Sequence, residues 1–135
     1  MISVTNFSDH NLYIMRKQSF TSSVITAAKG FWLTVISERN IRIQVVVCLL
    51  TIITGLFFKV TFIEWVALVF AMGLVIGFEI MNSAIELWVD WISPEHHTIA
   101  GRVKDVAAGA VFFVSLVAIA VGLLIFVPYM MKFMN

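Results

Sequence analysis

The string GFEIMNSAIELWVD at 77–90 holds five side chains able to do chemistry: Glu79, Asn82, Ser83, Glu86 and Asp90. At 100° per residue, offsets of 3, 4, 7 and 11 from Glu79 fall within an arc of roughly 100°, so all five share one helical face. The residues around them are apolar enough to lie at membrane depth. A carboxylate there costs about 2.5–3.5 kcal/mol on insertion scales, so it faces a bundle interior or a cavity and marks a function, such as carrying a proton. The purely structural reading pairs Glu79 with a buried cation for assembly, yet no apolar stretch of the chain contains one. Asp90, at the end of the stripe, reads equally as a solvated cap or as a participant.

A second group lies in DWISPEHHTIAGRVKD at 90–105, with Glu95, His96, His97, Arg102, Lys104 and Asp105. Ser93-Pro94-Glu95 starts a turn or a helix. Adjacent histidines diverge on a helix, and no HExxH string or cysteine cluster completes a metal site with them, so a surface position is their simpler reading. Lys104-Asp105 fits either an interfacial snorkelling pair or a phosphate-binding pair. Glu38, Arg39 and Arg42 pose the same choice. The chain has no GxxxxGK[ST], HRD or DFG string, so any ATP chemistry proceeds without a P-loop or the protein-kinase apparatus.

The elements that must position these groups follow from composition. The 135 residues are 61% hydrophobic and 13% charged, with a mean hydropathy of +0.99. That exceeds what one small water-soluble core can bury, and the bilayer is the fitting solvent. A net charge of +1 argues against nucleic acid as a partner, and the single cysteine, Cys48, forms no internal bridge. Three apolar stretches, 43–58, 65–89 and 106–129, predict transmembrane helices. Barrel strands would alternate apolar and polar residues, and runs such as VVVCLLTIITGLFF do not. The architecture expected is an all-α integral membrane protein with three spans and an amphipathic surface helix over about 19–36. Its apolar positions are Phe20, Val24, Ala27, Ala28, Phe31 and Val35. Residues 1–18 read as a loose extension ahead of a single domain, 19–135.

Orientation follows from Lys and Arg. Arg16, Lys17, Lys29, Arg39 and Arg42 precede the first span and Arg102 and Lys104 lie in the 90–105 loop, against Lys59 and Lys132 on the other side. The bias places the amino-terminal end and the 90–105 loop in the cytoplasm. With Trp65 at the outer interface, Glu79 lies roughly 21 Å deep and Glu86 about 10 Å further, near cytoplasmic water. Gly73 with Gly77, and Ala118 with Gly122, form small-xxx-small pairs suited to close helix packing.

Three strings, ERNIRIQ at 38–44, EIMNSAIELWVD at 79–90 and GRVKDVAAGAV at 101–111, resemble the small bacterial membrane lipid kinases of the prokaryotic diacylglycerol kinase and undecaprenol kinase family. The resemblance covers about Ser19 to Tyr129. It implies a homotrimer of three-helix subunits in the bacterial inner membrane, with active sites between neighbouring subunits. It implies that Glu79 is the general base that takes the proton from a lipid hydroxyl, that Asn82 supports the catalytic face, and that Glu79 and Arg42 contact the lipid. Glu38 and Glu86 would hold Mg²⁺ on the ATP phosphates, and Glu95, His96, His97, Lys104 and Asp105 would contact the nucleotide.

Two positions bear on the acceptor. Diacylglycerol-type members tend to have Glu where this chain has Gln44, and Ser where it has Ala108; KDVAAGAV is similar to undecaprenol-type members, so undecaprenol is the favoured acceptor. An aromatic residue common in the family's surface helix is Thr26 here. The competing expectation, from another class, is a small proton-coupled transporter using Glu79 as its relay.

Overall fold

The computed structural model of the chain describes residues 19–95 and 97–134. They form four helices: α1 (Phe20–Ser37), α2 (Arg39–Phe58), α3 (Phe62–Ile92) and α4 (Thr98–Met134), with no strand among the described residues. The expected extension, 1–18, lies outside the described residues.

Two compact units divide the chain, one ending at Trp32 and one beginning at Leu33. In the first, the amphipathic pattern forms helix as expected, and no residue of α1 is buried. Its hydroxyls fold back onto the helix, Thr26 Oγ1 donating to the Ser22 carbonyl at 2.9 Å and Ser22 Oγ to the Ser19 carbonyl at 3.0 Å. This is how Ser and Thr satisfy themselves where no other polar partner is near.

The second unit contains α2, α3 and α4, each long and apolar enough to cross a membrane. All three exceed the stretches predicted from hydropathy. α2 starts at Arg39 rather than 43, α3 covers 62–92 rather than 65–89, and α4 covers 98–134 rather than 106–129. Hydropathy marks what the bilayer tolerates, whereas the backbone ladder continues through polar turns beyond it. Over its 31 residues, α3 is about 46 Å long, well beyond a hydrocarbon core of about 30 Å. The 90–105 segment is consequently mostly helical, and only 93–97 connects α3 to α4.

α3 packs most extensively on α4 and less on α2. A small cluster of Val60, Leu68 and Ile125 fixes the end of the unit opposite Asp90, packed by Phe58, Trp65 and Tyr129. The α2–α3 turn there is sharp. Lys59 takes a left-handed conformation, φ 54°, and the amides of Lys59 and Val60 donate to Leu56 and Gly55 carbonyls. Thr61 then opens α3 with a reciprocal capping box. Its amide and hydroxyl donate to Glu64 Oε2 at 2.6 and 2.8 Å, and its hydroxyl accepts from the Glu64 amide at 3.4 Å. Tyr129 of α4 donates to the same Glu64 oxygen at 2.8 Å, tying α4 to the start of α3.

Candidate active site

The middle of α3 turns its polar stripe inward. Glu79 is 4% exposed, Asn82 7% and Ser83 4%. Ser83 spends its hydroxyl on the Glu79 carbonyl, 3.1 Å away within the same helix. The Glu79 carboxylate has a cross-helix partner: Gln44 Nε2 of α2 donates to Glu79 Oε2 at 3.0 Å. That partner is a neutral amide, so the ion-pair explanation of Glu79 finds no cation among the described residues. Gln44 Oε1 is itself buried without a hydrogen-bond partner. One turn beyond, Asn82 Nδ2 donates to Glu86 Oε1 at 2.8 Å, and Asn82 Oδ1 is a second buried, unpartnered acceptor. Two unspent acceptors beside two carboxylates make a polar seam in a largely apolar unit, the arrangement that binding sites keep and structural cores avoid.

Asn82 lines a cavity of about 580 Å³ between α3 and α4 that also includes Arg102, and two other cavities lie in the same unit. One, of about 340 Å³, runs between the three helices from Gln44 past Cys48, Met72 and Ala118 to Phe126, with a lining that is mostly apolar. Ala118 and Gly122 both line it, so the second small-xxx-small pair faces the interior of this unit. The other cavity, of about 500 Å³, lies where α3 meets α4 and is lined by Asp90, Ser93, Glu95, His97 and Lys104 among others.

At that second cavity Lys104 Nζ pairs with Asp90 Oδ1 across the 93–97 connection. His97 begins α4: its carbonyl accepts the Gly101 amide, and its Nδ1 accepts the Ile99 amide at 3.3 Å. Glu95 is exposed, and His96 lies outside the described residues.

The chain brings Glu79, Asn82 and Glu86 onto one seam and Glu95, His97 and Lys104 around one cavity. Glu38, Arg42 and Asp105 make no side-chain hydrogen bond or ion pair among the described residues. Glu38 is the N-cap of α2 but makes no side-chain cap bond, so its carboxylate stays uncommitted. No group of three His, Cys, Asp or Glu side chains among the described residues is placed to hold a metal ion. Three partners escaped the sequence reading: Gln44 for Glu79, Asp90 for Lys104, and the Thr61–Glu64–Tyr129 knot. The first two depend on inter-helix register, while the T-x-x-E of Thr61 to Glu64 was readable as a capping box.

Comparison with known proteins decides between the readings. The prokaryotic diacylglycerol kinase family profile matches residues 25–126. The chain belongs to this family. Undecaprenol kinase of Bacillus subtilis is 36% identical over 109 residues, 81% of this chain and 89% of that protein. Diacylglycerol kinase of Escherichia coli is 37% identical over 91 residues, 67% of this chain and 75% of that protein. Diacylglycerol kinase of Helicobacter pylori is 33% identical over 75 residues, 56% of this chain and 59% of that protein. This family member is therefore a lipid kinase, a phosphotransferase with an alcohol acceptor, and a multi-pass membrane protein. The transporter reading draws no support from these relatives.

Proposed function

We propose that the protein transfers the γ-phosphoryl group of ATP to the hydroxyl of undecaprenol, giving undecaprenyl phosphate, with diacylglycerol the second acceptor. The observation that carries this reading is the buried Glu79 carboxylate, held through one oxygen by Gln44, which itself lines an apolar cavity. Gln44 occupies Oε2, so Oε1 is the oxygen that takes the lipid proton. The deprotonated lipid oxygen then forms its bond to the γ-phosphorus as the bond to the bridging oxygen breaks, and ADP leaves. The apolar cavity has room for only a short part of the lipid chain, with Gln44 at its polar end to keep the hydroxyl beside Glu79. Arg42 contacts the lipid from the first turn of α2.

Phosphoryl transfer asks mainly for positioning and charge neutralisation. Lys104 supplies one positive charge, with Asp105, Glu95, His96 and His97 around the nucleotide. The oxygen donors Glu86 and Glu38 fit Mg²⁺, which favours one or two carboxylates together with phosphate oxygens over an all-protein cage. Glu86 keeps one oxygen free of Asn82, and Glu38 is spared from capping its helix. The ion, when bound, neutralises charge on the phosphates. In this reading the protein is a homotrimer whose sites lie between neighbouring subunits, and the uncommitted Glu38 carboxylate of one subunit meets the α3 seam of the next. The Lys and Arg bias places the Asp90 end, and so the reaction, at the cytoplasmic face of the inner membrane.

The acceptor assignment rests on Gln44 and Ala108 and on the longer match to an undecaprenol kinase. It is tested by offering undecaprenol and diacylglycerol at equal mole fraction in mixed micelles with [γ-³²P]ATP. Label is expected mainly in undecaprenyl phosphate, and EDTA is expected to abolish it. Dominant label in phosphatidate would show that Gln44 and Ala108 do not read the lipid. Label that persists in EDTA would remove the metal.

A further inference from the structure

Asp90 is left over by the chemistry proposed above. It lies in the last turn of α3, where the partial negative charge of the helix end opposes a carboxylate. A capping aspartate belongs at the other end of a helix. Its position therefore works against helix stability, and what offsets this is the pair it forms with Lys104 on the next helix. Both side chains line the 500 Å³ cavity with Glu95 and His97, Lys104 being 34% exposed and Asp90 63%. The lysine that the proposed reaction needs for phosphate is thus already engaged by a carboxylate at the rim of the same cavity.

We propose that Asp90 is a positioning residue acting through Lys104, a built-in competitor that holds the lysine beside the cavity until a triphosphate replaces it. The inference rests on the reading of Lys104 as a nucleotide contact. Nucleotide binding then exchanges one partner for another: Lys104 Nζ leaves the Asp90 carboxylate for a phosphate oxygen, and Asp90 turns to solvent. The exchange is easy because a largely exposed ion pair is weakly held in water, while a phosphate brings more charge and stronger charge-assisted bonds.

Removing the charge at Asp90 removes a competing partner and a like charge facing the phosphates. Asp90→Asn is therefore expected to lower the KM for ATP by about two- to five-fold, the size of an exposed ion pair. The kcat and the KM for the lipid should stay at their original values, and Asp90→Glu should restore the original KM for ATP. Raising the salt concentration should shrink the difference between wild type and Asp90→Asn.

The test is a set of initial-rate measurements on the full-length protein in mixed micelles, varying ATP at saturating lipid and then lipid at saturating ATP. Equilibrium dialysis of labelled ATP against wild type and Asp90→Asn gives affinities without turnover. Tighter ATP binding in Asp90→Asn, with lipid parameters unmoved, is the expected result. An unchanged or raised KM for ATP would overturn the proposal, the latter by showing that Asp90 helps to hold the nucleotide or its metal. Parallel changes in kcat and both KM values would also overturn it, in favour of a role in the fold. If wild type binds no ATP, the nucleotide reading itself fails; if wild type binds ATP and Asp90→Asn binds it equally well, only this inference fails.

Discussion

At the scale of single residues, the account turns on how Glu79 is held. Its position on a one-faced stripe was legible from spacing, because helical periodicity and the cost of a buried charge are both local arguments. Gln44 was not, since which α2 residue meets Glu79 depends on the register of two packed helices. The pairing has a measurable consequence. Gln44→Leu removes the amide from Glu79 Oε2, a bond whose membrane counterparts contribute about 0.6–1.7 kcal/mol, so kcat is expected to fall about three- to fifteen-fold without loss of folding. Steady-state rates beside a thermal melt check this; unchanged kcat in a folded variant would show that Gln44 does not orient the base.

At the scale of elements, the opposite end of the unit acts as the hinge pin that sets α2, α3 and α4 in register. Gly55 is the tightest contact there: a Cβ at this position would lie 2.8 Å from Trp65 Cη2. Gly55→Ala must push the indole aside and is expected to cost about 1–3 kcal/mol, read as a lower melting temperature in detergent. Tyr129→Phe loses the hydroxyl bond to Glu64 and is expected to lower the melting temperature by less than Gly55→Ala does. Both variants should keep full activity per folded molecule, because these groups lie several helical turns from Glu79; loss of activity at unchanged stability would contradict the separation. Hydropathy located all three spans, and the helices continue past them at the Arg39 and Thr98 ends, where charged turns stay helical. Hydropathy is silent on that continuation and so on the Asp90–Lys104 pair, which exists only because 90 and 104 both lie on helices flanking a short connection.

At the scale of the whole molecule, most of the large apolar side chains among the described residues are exposed, with Ile41 fully enclosed and Val60, Leu68, Val89 and Ile125 buried. In lipid this carries no penalty, since the tails are as apolar as leucine and helices associate through packing and polar contacts instead. Gly73 and Gly77 have nothing within 4 Å of an added Cβ, so the first small-xxx-small face of α3 is open in the single chain. The second such pair lines the internal cavity instead, a distinction that sequence spacing does not contain. If sites are completed between subunits, co-assembling Glu38→Ala with Glu79→Gln should restore activity that neither has alone, up to a fraction set by random mixing; no recovery in mixed, folded oligomers would place each site within one chain. The central claim is that a buried carboxylate on α3 activates a lipid alcohol for phosphorylation, and α3 supplies its own control in Glu64 near the opposite end. The most direct measurement is transfer of ³²P from ATP to undecaprenol by wild type, Glu79→Gln and Glu64→Gln in parallel. The account predicts at least a hundred-fold loss in Glu79→Gln and near wild-type turnover in folded Glu64→Gln; comparable turnover in Glu79→Gln and wild type would contradict it.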